Sequence, residues 1–305
     1  MRKKTLIVVN PISGVGRQKK IEEILNRHLN HDIFDYSIRY TEYIHHGTLI
    51  AHEAAMQGYD CVVAVGGDGT VYDIVQGLMG SDVRLGIIPC GSGNGLAHTL
   101  KLPLLPWMAA RVLNQCYERT IDTIAVRTAD KDNAPVHYSV NATGIGFDVH
   151  VARLMQSARS RGLSAYSNMV MRAYSNYRCN NYTLTINDQQ IQRNAWIIAI
   201  LNSNRIGYNL PVAPDAKLDD GMMDIDIIDK VPVEHLPISI PITLAGHISW
   251  SQHVEMFRAS QMLIEGNVDR YADIDGECIE VGRNVLVTNI PNSLHIYGRA
   301  PIHEP

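Results

Sequence analysis

Short apolar runs alternate with longer amphipathic stretches along the first part of the chain. The apolar runs have the length and composition of buried strands, and they cover residues 5–9, 34–40, 61–65 and 84–88. Apolar residues recur at helical spacing between and after these runs, at 17–29, 48–57, 70–79 and 105–117. Strands that alternate with helices in this order predict a doubly wound α/β domain with a parallel sheet.

The pattern changes near residue 137, where extended runs begin to dominate. Turn clusters separate these runs, which cover 137–142, 182–187, 195–202, 222–229, 261–265, 278–281, 284–288 and 294–297. A helical pattern interrupts them over residues 147–177. Many short strands separated by turns predict a second, mostly antiparallel domain with the architecture of a β-sandwich.

Three of the predicted strands in the first part end in a glycine-rich loop that opens a helix. These loops are Asn10-Pro11-Ile12-Ser13-Gly14, Gly66-Gly67-Asp68-Gly69-Thr70 and Gly91-Ser92-Gly93-Asn94-Gly95. Glycine lets a phosphate approach the backbone, and a helix start offers unpaired N–H groups to an anion. One such loop is more often an ordinary turn. Three of the same polarity indicate a ligand site, because such loops gather at the carboxyl ends of parallel strands.

Asp68 lies in the middle of the second loop, where its charge would repel a phosphate that the glycines admit. It therefore makes most sense as a partner of Mg²⁺ or of a substrate hydroxyl. A loop that combines phosphate contacts with a carboxylate suggests phosphoryl transfer from a nucleotide.

Together with three motifs farther along the chain, these loops resemble the diacylglycerol kinase catalytic-domain superfamily. This superfamily includes bacterial soluble lipid kinases and the sphingosine and ceramide kinases. The later motifs are Gly144-Ile145-Gly146-Phe147-Asp148, Asp219-Asp220-Gly221 and Asp275-Gly276-Glu277. All motifs occur in the expected order and span nearly the whole chain. The resemblance implies an α/β ATP-binding domain over 1–128, a sandwich domain for the lipid substrate over 129–290, and a segment, 291–305, that returns to the first domain.

Two positions depart from common patterns of this superfamily. Asp73 stands where many relatives carry Glu, at the fifth position after Asp68. The third loop reads Ser92-Gly93-Asn94-Gly95, which is closer to sphingosine and ceramide kinases than to bacterial diacylglycerol kinases. The identity of the acceptor lipid therefore stays open, while the expected reaction does not change.

The resemblance implies that ATP binds at the three glycine loops, mainly through backbone N–H groups. The implied ATP contacts are Asn10, Pro11, Ser13, Gly14, Thr41, Gly66, Gly67, Asp68, Gly69, Thr70, Ser92, Gly93 and Asn94. Thr41 follows the second strand, and a β-branched residue at a strand end explains it equally well.

Two carboxylates are candidates for the base that takes the proton from the acceptor hydroxyl. Bacterial diacylglycerol kinases use the Glu of the late Asp-Gly-Glu motif, which makes Glu277 the first choice and ties Asp68 to the catalytic Mg²⁺. Sphingosine kinases are usually described with the Asp of the second loop as base, which leaves Asp68 as the alternative. Outside this context, Asp275-Gly276-Glu277 would be interpreted as a hairpin turn.

The Asp219-Asp220-Gly221 turn is also a normal hairpin sequence. By resemblance to the bacterial diacylglycerol kinases, it surrounds a second, structural Mg²⁺. The implied ligands are the Asp220 carboxylate and the carbonyl oxygens of Lys217 and Met222, with Asp219 linked to the ion through water. Oxygen ligands of this kind suit a hard cation.

Composition narrows the class of protein. The 305 residues carry a net charge of −4, which argues against a nucleic-acid partner. Five cysteines without a close pair argue against a disulfide framework or a zinc site and fit a reducing compartment. We expect no signal peptide, and the apolar region Val231–Ser249 holds Glu234 and three prolines, which makes it a poor transmembrane candidate. A cytoplasmic protein is expected, and a homodimer is left open.

The segment from Val149 to Asn187 contains no Asp or Glu, while arginine occurs five times. These arginines, with Met and Tyr residues interleaved, are Arg153, Arg159, Arg161, Arg172 and Arg178. A basic amphipathic segment can lie on an anionic membrane surface, here the inner membrane face. An ordinary solvated helix face with a core stripe has the same pattern, and both interpretations stay open.

The predicted function is an ATP-dependent lipid kinase that phosphorylates a hydroxyl of diacylglycerol or of a sphingoid base. A nicotinamide-nucleotide kinase is an alternative, because it also uses Gly-Gly-Asp-Gly, although the first and third loops favour the lipid branch. A lipid-binding protein that kept the fold and lost activity is the other alternative. The presence of Asp68, Asp220 and Glu277 argues against it.

Overall fold

The computed structural model describes residues 1–13, 20–157, 173–206 and 209–300. The chain divides into two compact units. Unit 1 consists of Met1–Thr123, Arg205–Leu210 and the chain from Pro291 onward, and unit 2 consists of Ile124–Asn204 and Pro211–Ile290. The domain boundaries at residues 128 and 290 stay predictions.

Unit 1 is built on a parallel sheet. Its strands are β1 (Lys3–Val9), β2 (Phe34–Tyr40), β3 (Cys61–Gly66) and β4 (Arg84–Pro89), in the order β2-β1-β3-β4. The end of β16 (Asn284–Gly298) lies beside β4, where Ile296 pairs in parallel with Leu85. All six residues of β3 are buried, as expected for a parallel strand that is covered on both faces.

The helices of unit 1 follow its strands. They are α1 (Ile21–His28), α2 (His46–Met56), α3 (Asp68–Leu78), α4 (Gly95–Thr99) and α5 (Pro106–Leu113). α1 packs against α5, and α2 packs against α3. Apolar residues of α1 and α5, such as Leu25 and Ala110, join Ile7 and Val63 of the sheet in one buried core. This packing fixes the positions at which the strands end.

Unit 2 contains two antiparallel sheets. In the first, the beginning of β16 pairs with β13 (Gln261–Glu265), which is followed by β8 (Asn180–Ile186) and β9 (Gln189–Ala195). β5 (Tyr117–Thr128) pairs with the short β6 (His137–Ser139). The second sheet consists of β7 (Ala142–Gly146), β10 (Ile197–Leu201), β11 (Met223–Ile228), β12 (Val254–Ala259), β14 (Tyr271–Ile274) and β15 (Glu277–Glu280). Its strand order is β12-β11-β10-β7-β14-β15.

Alternate residues are buried in strands of both sheets, such as Ile198 and Ile200 in β10 and Met262 and Ile264 in β13. Successive side chains of a strand point to opposite faces, so a period of two is what a sandwich requires. The predicted fold class, a doubly wound α/β domain followed by a mostly antiparallel β-sandwich domain, is confirmed.

Two helices accompany the sheets of unit 2. α6 (Phe147–Ser157) packs against β7, β14 and β15. α7 (Leu236–Leu244) lies between 3₁₀ turns at Val233–His235 and Ile248–Trp250. The helical pattern predicted for 147–177 is present in α6 and at 173–176, and residues 158–172 lie outside the described part of the chain. Within the described ranges, no helix combines the length and the apolar character that a membrane span requires.

Several elements are absent from the sequence prediction, namely β7, β9, β12, β14 and α7. β9 is polar and lies at a sheet edge, where a strand does not need the apolar pattern of a central one. α7 is concealed by its prolines, because Pro237 lies in its first turn and Pro241 lies inside it. Residues 284–288 and 294–297 belong to one strand, β16, and are not separate strands.

Candidate functional site

The three glycine loops follow β1, β3 and β4, and hydrogen bonds connect them. The N–H of Asn10, directly after β1, donates to the carbonyl of Val65 at 3.1 Å. The N–H of Cys90, directly after β4, donates to the carbonyl of Gly66 at 2.7 Å. The parallel register thus brings these strand ends to one edge of the sheet, which is the usual ligand edge of an α/β domain.

Asn10 closes the first loop. Its Oδ1 accepts the N–H of Ile12 at 3.1 Å, and its carbonyl accepts the hydroxyl of Ser13 at 2.9 Å. Thr41 is held beside this loop, because its N–H donates to the carbonyl of Val9 at 2.9 Å. Asn10 therefore shapes the turn, as Asn commonly does through its side chain. Pro11 is exposed in this loop, and Gly14 lies outside the described residues.

The second and third loops are in contact through their backbones. A Cβ atom on Gly91 would lie 2.4 Å from the Cα atom of Gly67, so any side chain at this position would push the loops apart. Ser92 is exposed in the third loop, and Gly93 is buried. These glycines are therefore needed for contact between the loops, in addition to any approach of a phosphate.

Asp68 is the first residue of α3, and both of its carboxylate oxygens bind the third loop. Oδ2 accepts the N–H of Asn94 at 2.8 Å, and Oδ1 accepts the N–H of Gly95 at 2.6 Å. Asn94 Oδ1 in turn accepts the N–H of Gly91 at 3.0 Å. Burial raises the pKa of Asp68, while the hydrogen bonds from Gly95 and Asn94 oppose that rise. Asp68 thus ties the start of α4 to the start of α3, a role that its sequence motif does not reveal.

The first turn of α3 contains Gly69 and Thr70. The Thr70 side chain is 4% exposed, and its hydroxyl has no hydrogen-bond partner among the described residues. A buried hydroxyl without a partner is costly, and a phosphate oxygen is an acceptor that would satisfy it. The N-terminus of α3 also carries the positive end of the helix dipole. This edge of unit 1 therefore has the properties of an anion site.

A second polar pair, not identified from the sequence, lies beside α3. His45 precedes α2, and its Nδ1 is 2.8 Å from Oδ1 of Asp73. Burial raises the pKa of Asp73, while the hydrogen bond from His45 lowers it. Asp73 therefore has an orienting partner on the neighbouring element. The sequence carries no specific signal for this pair.

In unit 2, the Asp275-Gly276-Glu277 motif forms the turn between β14 and β15. Asp275 accepts four hydrogen bonds from consecutive residues. The donors are the Ser139 hydroxyl (2.7 Å) and the N–H groups of Val140 (2.8 Å), Asn141 (2.9 Å) and Ala142 (3.0 Å). Burial raises the pKa of Asp275, and these hydrogen bonds oppose the rise. Asp275 is therefore a structural residue that fixes the turn.

Glu277 is the first residue of β15, directly after this turn, and it is partly buried. Burial raises the pKa of the nearby Asp273 to about 8, and the charges of Asp148, Asp275 and Glu277 add to the rise. Because Asp275 fixes the turn, the Glu277 side chain starts from an ordered backbone position. A catalytic base needs such support from its surroundings.

Asp273 belongs to a row of residues that crosses the second sheet, here called the outer row. In the strand register, Asp226 pairs with Ala199, Ala199 with Gly144, and Gly144 with Asp273. Paired residues point to the same face of a sheet. The Asp148 carboxylate of α6 covers Gly144, since its Oδ2 lies 1.4 Å from the place that a Cβ atom would occupy. Gly144 therefore leaves room for a carboxylate in the row.

Asp226 has the least usual environment in the outer row. It is 1% exposed, and neither of its carboxylate oxygens has a hydrogen-bond partner among the described residues. Burial raises the pKa of Asp226 to about 7, with a further rise from Asp224, and burial also raises the pKa of Asp148 to about 7. Carboxyl groups with such pKa values are protonated in about half of the molecules near neutrality, and in that form they can donate hydrogen bonds.

Arg258 of β12 forms an ion pair at the Asp219-Asp220-Gly221 turn. Its Nη2 lies 2.5 Å from Oδ2 of Asp220, and its Nε lies 3.3 Å from Oδ1 of Asp224. Asp220 Oδ1 accepts the N–H of Met222 at 3.1 Å. The carbonyl of Met222 accepts a hydrogen bond from Asn289 Nδ2 at 3.2 Å. Protein donors thus already use most of the oxygens that a second cation would need.

As placed, these residues suit a guanidinium better than Mg²⁺. Lys217 and Asp219 are exposed near the turn. The described residues contain no group of three or more His, Cys, Asp and Glu side chains that could hold a metal ion. The second magnesium site at Asp220 therefore stays a prediction, and it competes with Arg258.

The arginine-rich segment is described only in part. The guanidinium of Arg153 lies 4.6 Å from the ring centre of Tyr271, which is a cation–π contact. Arg159, Arg161 and Arg172 lie outside the described residues. The predicted role of this segment on anionic membranes therefore stays a prediction. The five cysteines are free thiols.

Comparison with known protein families agrees with both halves of this architecture. The model of the diacylglycerol kinase catalytic domain matches residues 4–126. The model of the YegS C-terminal NAD kinase beta sandwich-like domain matches residues 141–298. The two matches follow one another and include all of the motifs described above.

Individual relatives give the same result. A diacylglycerol kinase of Bacillus subtilis (strain 168) is 26% identical over 289 residues, which cover 90% of each chain. A Chromohalobacter salexigens protein described as "Probable lipid kinase YegS-like" is 35% identical over 188 residues, or 60% of this chain and 58% of its own. A crystal structure of a diacylglycerol kinase from Bacillus anthracis str. Sterne has 22% identity, a TM-score of 0.76 and 97% coverage of both chains. The protein therefore belongs to the diacylglycerol kinase-like family of lipid kinases, in the two-domain form with a YegS-type sandwich.

Proposed function

We propose that the protein transfers the γ-phosphoryl group of ATP to a lipid hydroxyl, with diacylglycerol or a sphingoid base as the acceptor. The observation that carries the proposal is the junction at Asp68, which ties the second and third glycine loops together at the N-terminus of α3. Membership of the lipid kinase family supports a kinase reaction and a lipid acceptor.

In this proposal the ATP phosphates bind at the loop edge of unit 1. Backbone N–H groups at the start of α3 and in the glycine loops face the negative charge. The hydroxyl of Thr70, which has no partner among the described residues, donates a hydrogen bond to a phosphate oxygen. Asn10, Ser13 and Asn94 keep the loops in shape through hydrogen bonds to their own backbones. Phosphoryl transfer depends mainly on positioning and on charge neutralisation, and rigid loops provide the first of these.

Asp68 is the carboxylate that would face a magnesium ion beside the phosphates. Both of its oxygens accept N–H groups of the third loop, so it would hold the ion through a bound water and not by direct ligation. When bound, Mg²⁺ neutralises charge that develops on the transferred phosphoryl group. The Asp220 turn is not part of this proposal, because Arg258 pairs with its carboxylate.

Glu277 takes the proton of the acceptor hydroxyl in this proposal. It follows a turn that Asp275 fixes with four hydrogen bonds, so its backbone is held in one place. Asp68 is less suited to this role, because both of its oxygens accept N–H groups of the third loop and hold that loop in place. The location that we propose is cytoplasmic, with peripheral contact to the membrane that supplies the lipid.

Labelled ATP and a panel of acceptors test the proposal. Diacylglycerol, sphingosine, ceramide and NAD are offered in turn, and thin-layer separation shows which product carries the label. We expect label in a lipid product, a loss in Glu277→Gln, and little change in Glu280→Gln, an exposed glutamate of the same strand. Label in the NAD product would instead identify a nicotinamide-nucleotide kinase. ATP that stays unconsumed with every acceptor would identify an inactive lipid-binding protein.

A further inference from the structure

α7 and its two flanking 3₁₀ turns expose an apolar stripe, here called the α7 surface. Its members are Val233, Ile238, Pro241, Leu244 and Trp250. Val233 is 61% exposed, Ile238 66%, Leu244 59% and Trp250 71%. Ile238, Pro241 and Leu244 are spaced by three, so they lie on one side of the helix. A helix on the surface of a globular protein normally turns a polar side outward, whereas α7 exposes apolar residues.

The chain through α7 also carries little charge. Glu234 lies in the first flanking turn, and from His235 to Val254 there is no Asp, Glu, Lys or Arg. At the average charged content of 19% for this chain, a stretch of this length would carry roughly four such residues. His235 and His253 are 3.1 Å apart through their ring nitrogens, and His247 stacks on Trp250 with ring centres 4.1 Å apart. An exposed apolar surface with so little charge along its chain marks a contact with another apolar phase.

The size of the stripe decides among possible occupants. The stripe consists of five exposed side chains. A stable protein dimer buries about 800 Å² on each partner and uses about 20–30 residues a side. Even with the adjoining turns, the α7 surface is too small for that. A bilayer interface accepts narrow apolar helices, and it favours Trp at the boundary between lipid and water.

The anchoring of α7 links this surface to the sheet that carries Glu277. Leu236, the first residue of α7, packs with Phe147, Tyr174 and Trp196 in one apolar cluster. Phe147 and Trp196 are stacked with ring centres 4.3 Å apart. Trp196 directly precedes β10 of the second sheet, and Phe147 is the first residue of α6, which packs on β14 and β15. A membrane contact at α7 would therefore be held firmly to unit 2.

We propose that the α7 surface inserts into the interfacial layer of a lipid bilayer, and that apolar burial rather than charge drives the insertion. The proposal rests on the proposed function in one respect, since a lipid acceptor explains why unit 2 should meet a membrane. It differs from the prediction for the arginine-rich segment in its location and in its expected response to salt. Charge attraction is screened over about 8–10 Å at ordinary salt, whereas apolar insertion is not.

Trp250 reports on the insertion directly. Vesicles of zwitterionic phosphatidylcholine with brominated acyl chains are titrated into the protein without ATP, and Trp fluorescence is measured at low and high salt. We expect quenching in the parent protein, nearly the same quenching at both salt concentrations, and loss of the quenched signal in Trp250→Phe. Quenching that is equally large in Trp250→Phe would place the contact elsewhere and overturn the proposal.

A double substitution at two exposed residues tests the α7 surface, and a substitution at an exposed residue elsewhere in unit 2 is its control. The double variant Ile238→Asn and Leu244→Asn keeps an exposed helix face and makes it polar. It should lower vesicle affinity by roughly tenfold or more, because apolar side chains then no longer leave water. Val268→Asn changes a residue of unit 2 that is 58% exposed and lies outside the surface, and it should bind like the parent. Circular dichroism and thermal melting confirm that each variant is folded.

The remaining outcomes are decisive in either direction. Equal vesicle affinity of the double variant and the parent, or binding that disappears at high salt, would overturn the proposal. A parent that is dimeric by light scattering, and becomes monomeric in the double variant, would assign the α7 surface to a second copy of the chain. Because vesicle binding is measured without ATP, salt-independent quenching that survives a failed kinase assay would refute the proposed function and leave the membrane contact standing.

Discussion

Asp275 and Asp226 are both buried aspartates of unit 2, and their surroundings are opposite. Asp275 accepts a hydroxyl and three N–H groups from residues 139–142. Asp226 accepts no hydrogen bond from any described residue, and the charge of Asp224 adds to the rise of its pKa. Hydrogen bonds compensate the first aspartate in part, since burial still raises its pKa. The second is uncompensated, and burial raises its pKa to about 7.

The contrast shows that a motif residue can serve the backbone around it and need not contact a ligand. Asp68 in unit 1 resembles Asp275, because both use their oxygens to hold neighbouring backbone in place. In each case a neighbouring side chain of the motif, such as Thr70 or Glu277, is then presented by a fixed loop or turn. Asp226 of the outer row has no such structural task. Its charge state can therefore respond to pH or to a ligand.

Removing the compensated carboxylate should have the largest effect. Asp275→Ala leaves four donors near residues 139–142 without their acceptor, and it frees the turn that precedes Glu277. We expect a loss of roughly 5 kcal/mol in the free energy of unfolding, because hydrogen bonds to a charged group contribute about 1.5–3 kcal/mol each and are not additive. Urea unfolding measures this loss.

Glu280→Ala is the matched control, since it removes an exposed carboxylate from the same hairpin. It should change the free energy of unfolding by less than about 0.5 kcal/mol. If Asp275→Ala is as stable as this control, the four hydrogen bonds do not carry the turn, and the contrast with Asp226 fails.

The next effect concerns the residue that Asp275 supports. Glu277→Gln keeps the size of the side chain and removes its basicity. Turnover should fall by about 10²–10⁴-fold while the free energy of unfolding stays close to that of the parent. Steady-state rates with the best lipid acceptor, combined with urea unfolding, separate the two quantities. Near-normal turnover in Glu277→Gln would move the base to Asp68.

The contribution of Asp226, the uncompensated carboxylate, to the free energy of unfolding should depend on pH. Asp226 has a pKa of about 7 in the folded protein, raised mainly by burial, against about 4 in an unfolded chain. The folded state therefore holds this proton more tightly, and the stability it contributes is complete below pH 4 and is lost as pH rises through 7. Asp226→Val should remove this dependence. We expect it to exceed the parent by on the order of 2–4 kcal/mol at pH 8 and by much less at pH 4.

Urea unfolding of both proteins at several pH values measures the difference. Asp148 and Asp273 remain in the variant, and burial also raises their pKa values, to about 7 and about 8, so part of the pH dependence should persist. Asp229→Val, at the exposed end of the same strand, is the control for a lost surface carboxylate. A variant whose stability follows pH in parallel with the parent would mean that Asp226 is compensated after all.

Sequence patterns predict the fold of this protein well, because its strands and glycine loops carry strong local signals. β2 is predicted with its observed bounds, Phe34–Tyr40, and the α/β order follows from periodicity alone. Polar edge strands escape prediction, since β9 has one pairing neighbour and little need for apolar residues. α7 escapes because its outward side is apolar and its prolines resemble breaks.

The candidate site could be predicted as a set of motifs and not as a set of contacts. The sequence indicates that Asp68 and Asp275 belong to important loops. It cannot show that the oxygens of Asp68 bind Asn94 and Gly95, 26 and 27 positions away, or that Asp275 binds residues more than 130 positions away. Such pairs depend on the register of strands that lie far apart in the chain. The same is true of Arg258 and Asp220.

The smallest expected effect concerns the group that neutralises Asp220, which is either Arg258 or a bound Mg²⁺. Arg258 is about half exposed, so its pair with Asp220 should stabilise the protein by only about 0.2–1 kcal/mol after solvent screening. If the guanidinium takes the place of a cation, Mg²⁺ should leave the melting temperature of the parent unchanged. Arg258→Gln should melt about 1–3 °C lower and regain part of this loss when Mg²⁺ is added, because the freed oxygens can then bind the ion.

Asp220→Ala should show no response to Mg²⁺ in the parent or in Arg258→Gln. A parent that melts higher with Mg²⁺, and loses this response in Asp220→Ala, would establish the ion predicted from the sequence. Asp220 would then be compensated from solution, whereas Asp275 is compensated by the chain itself.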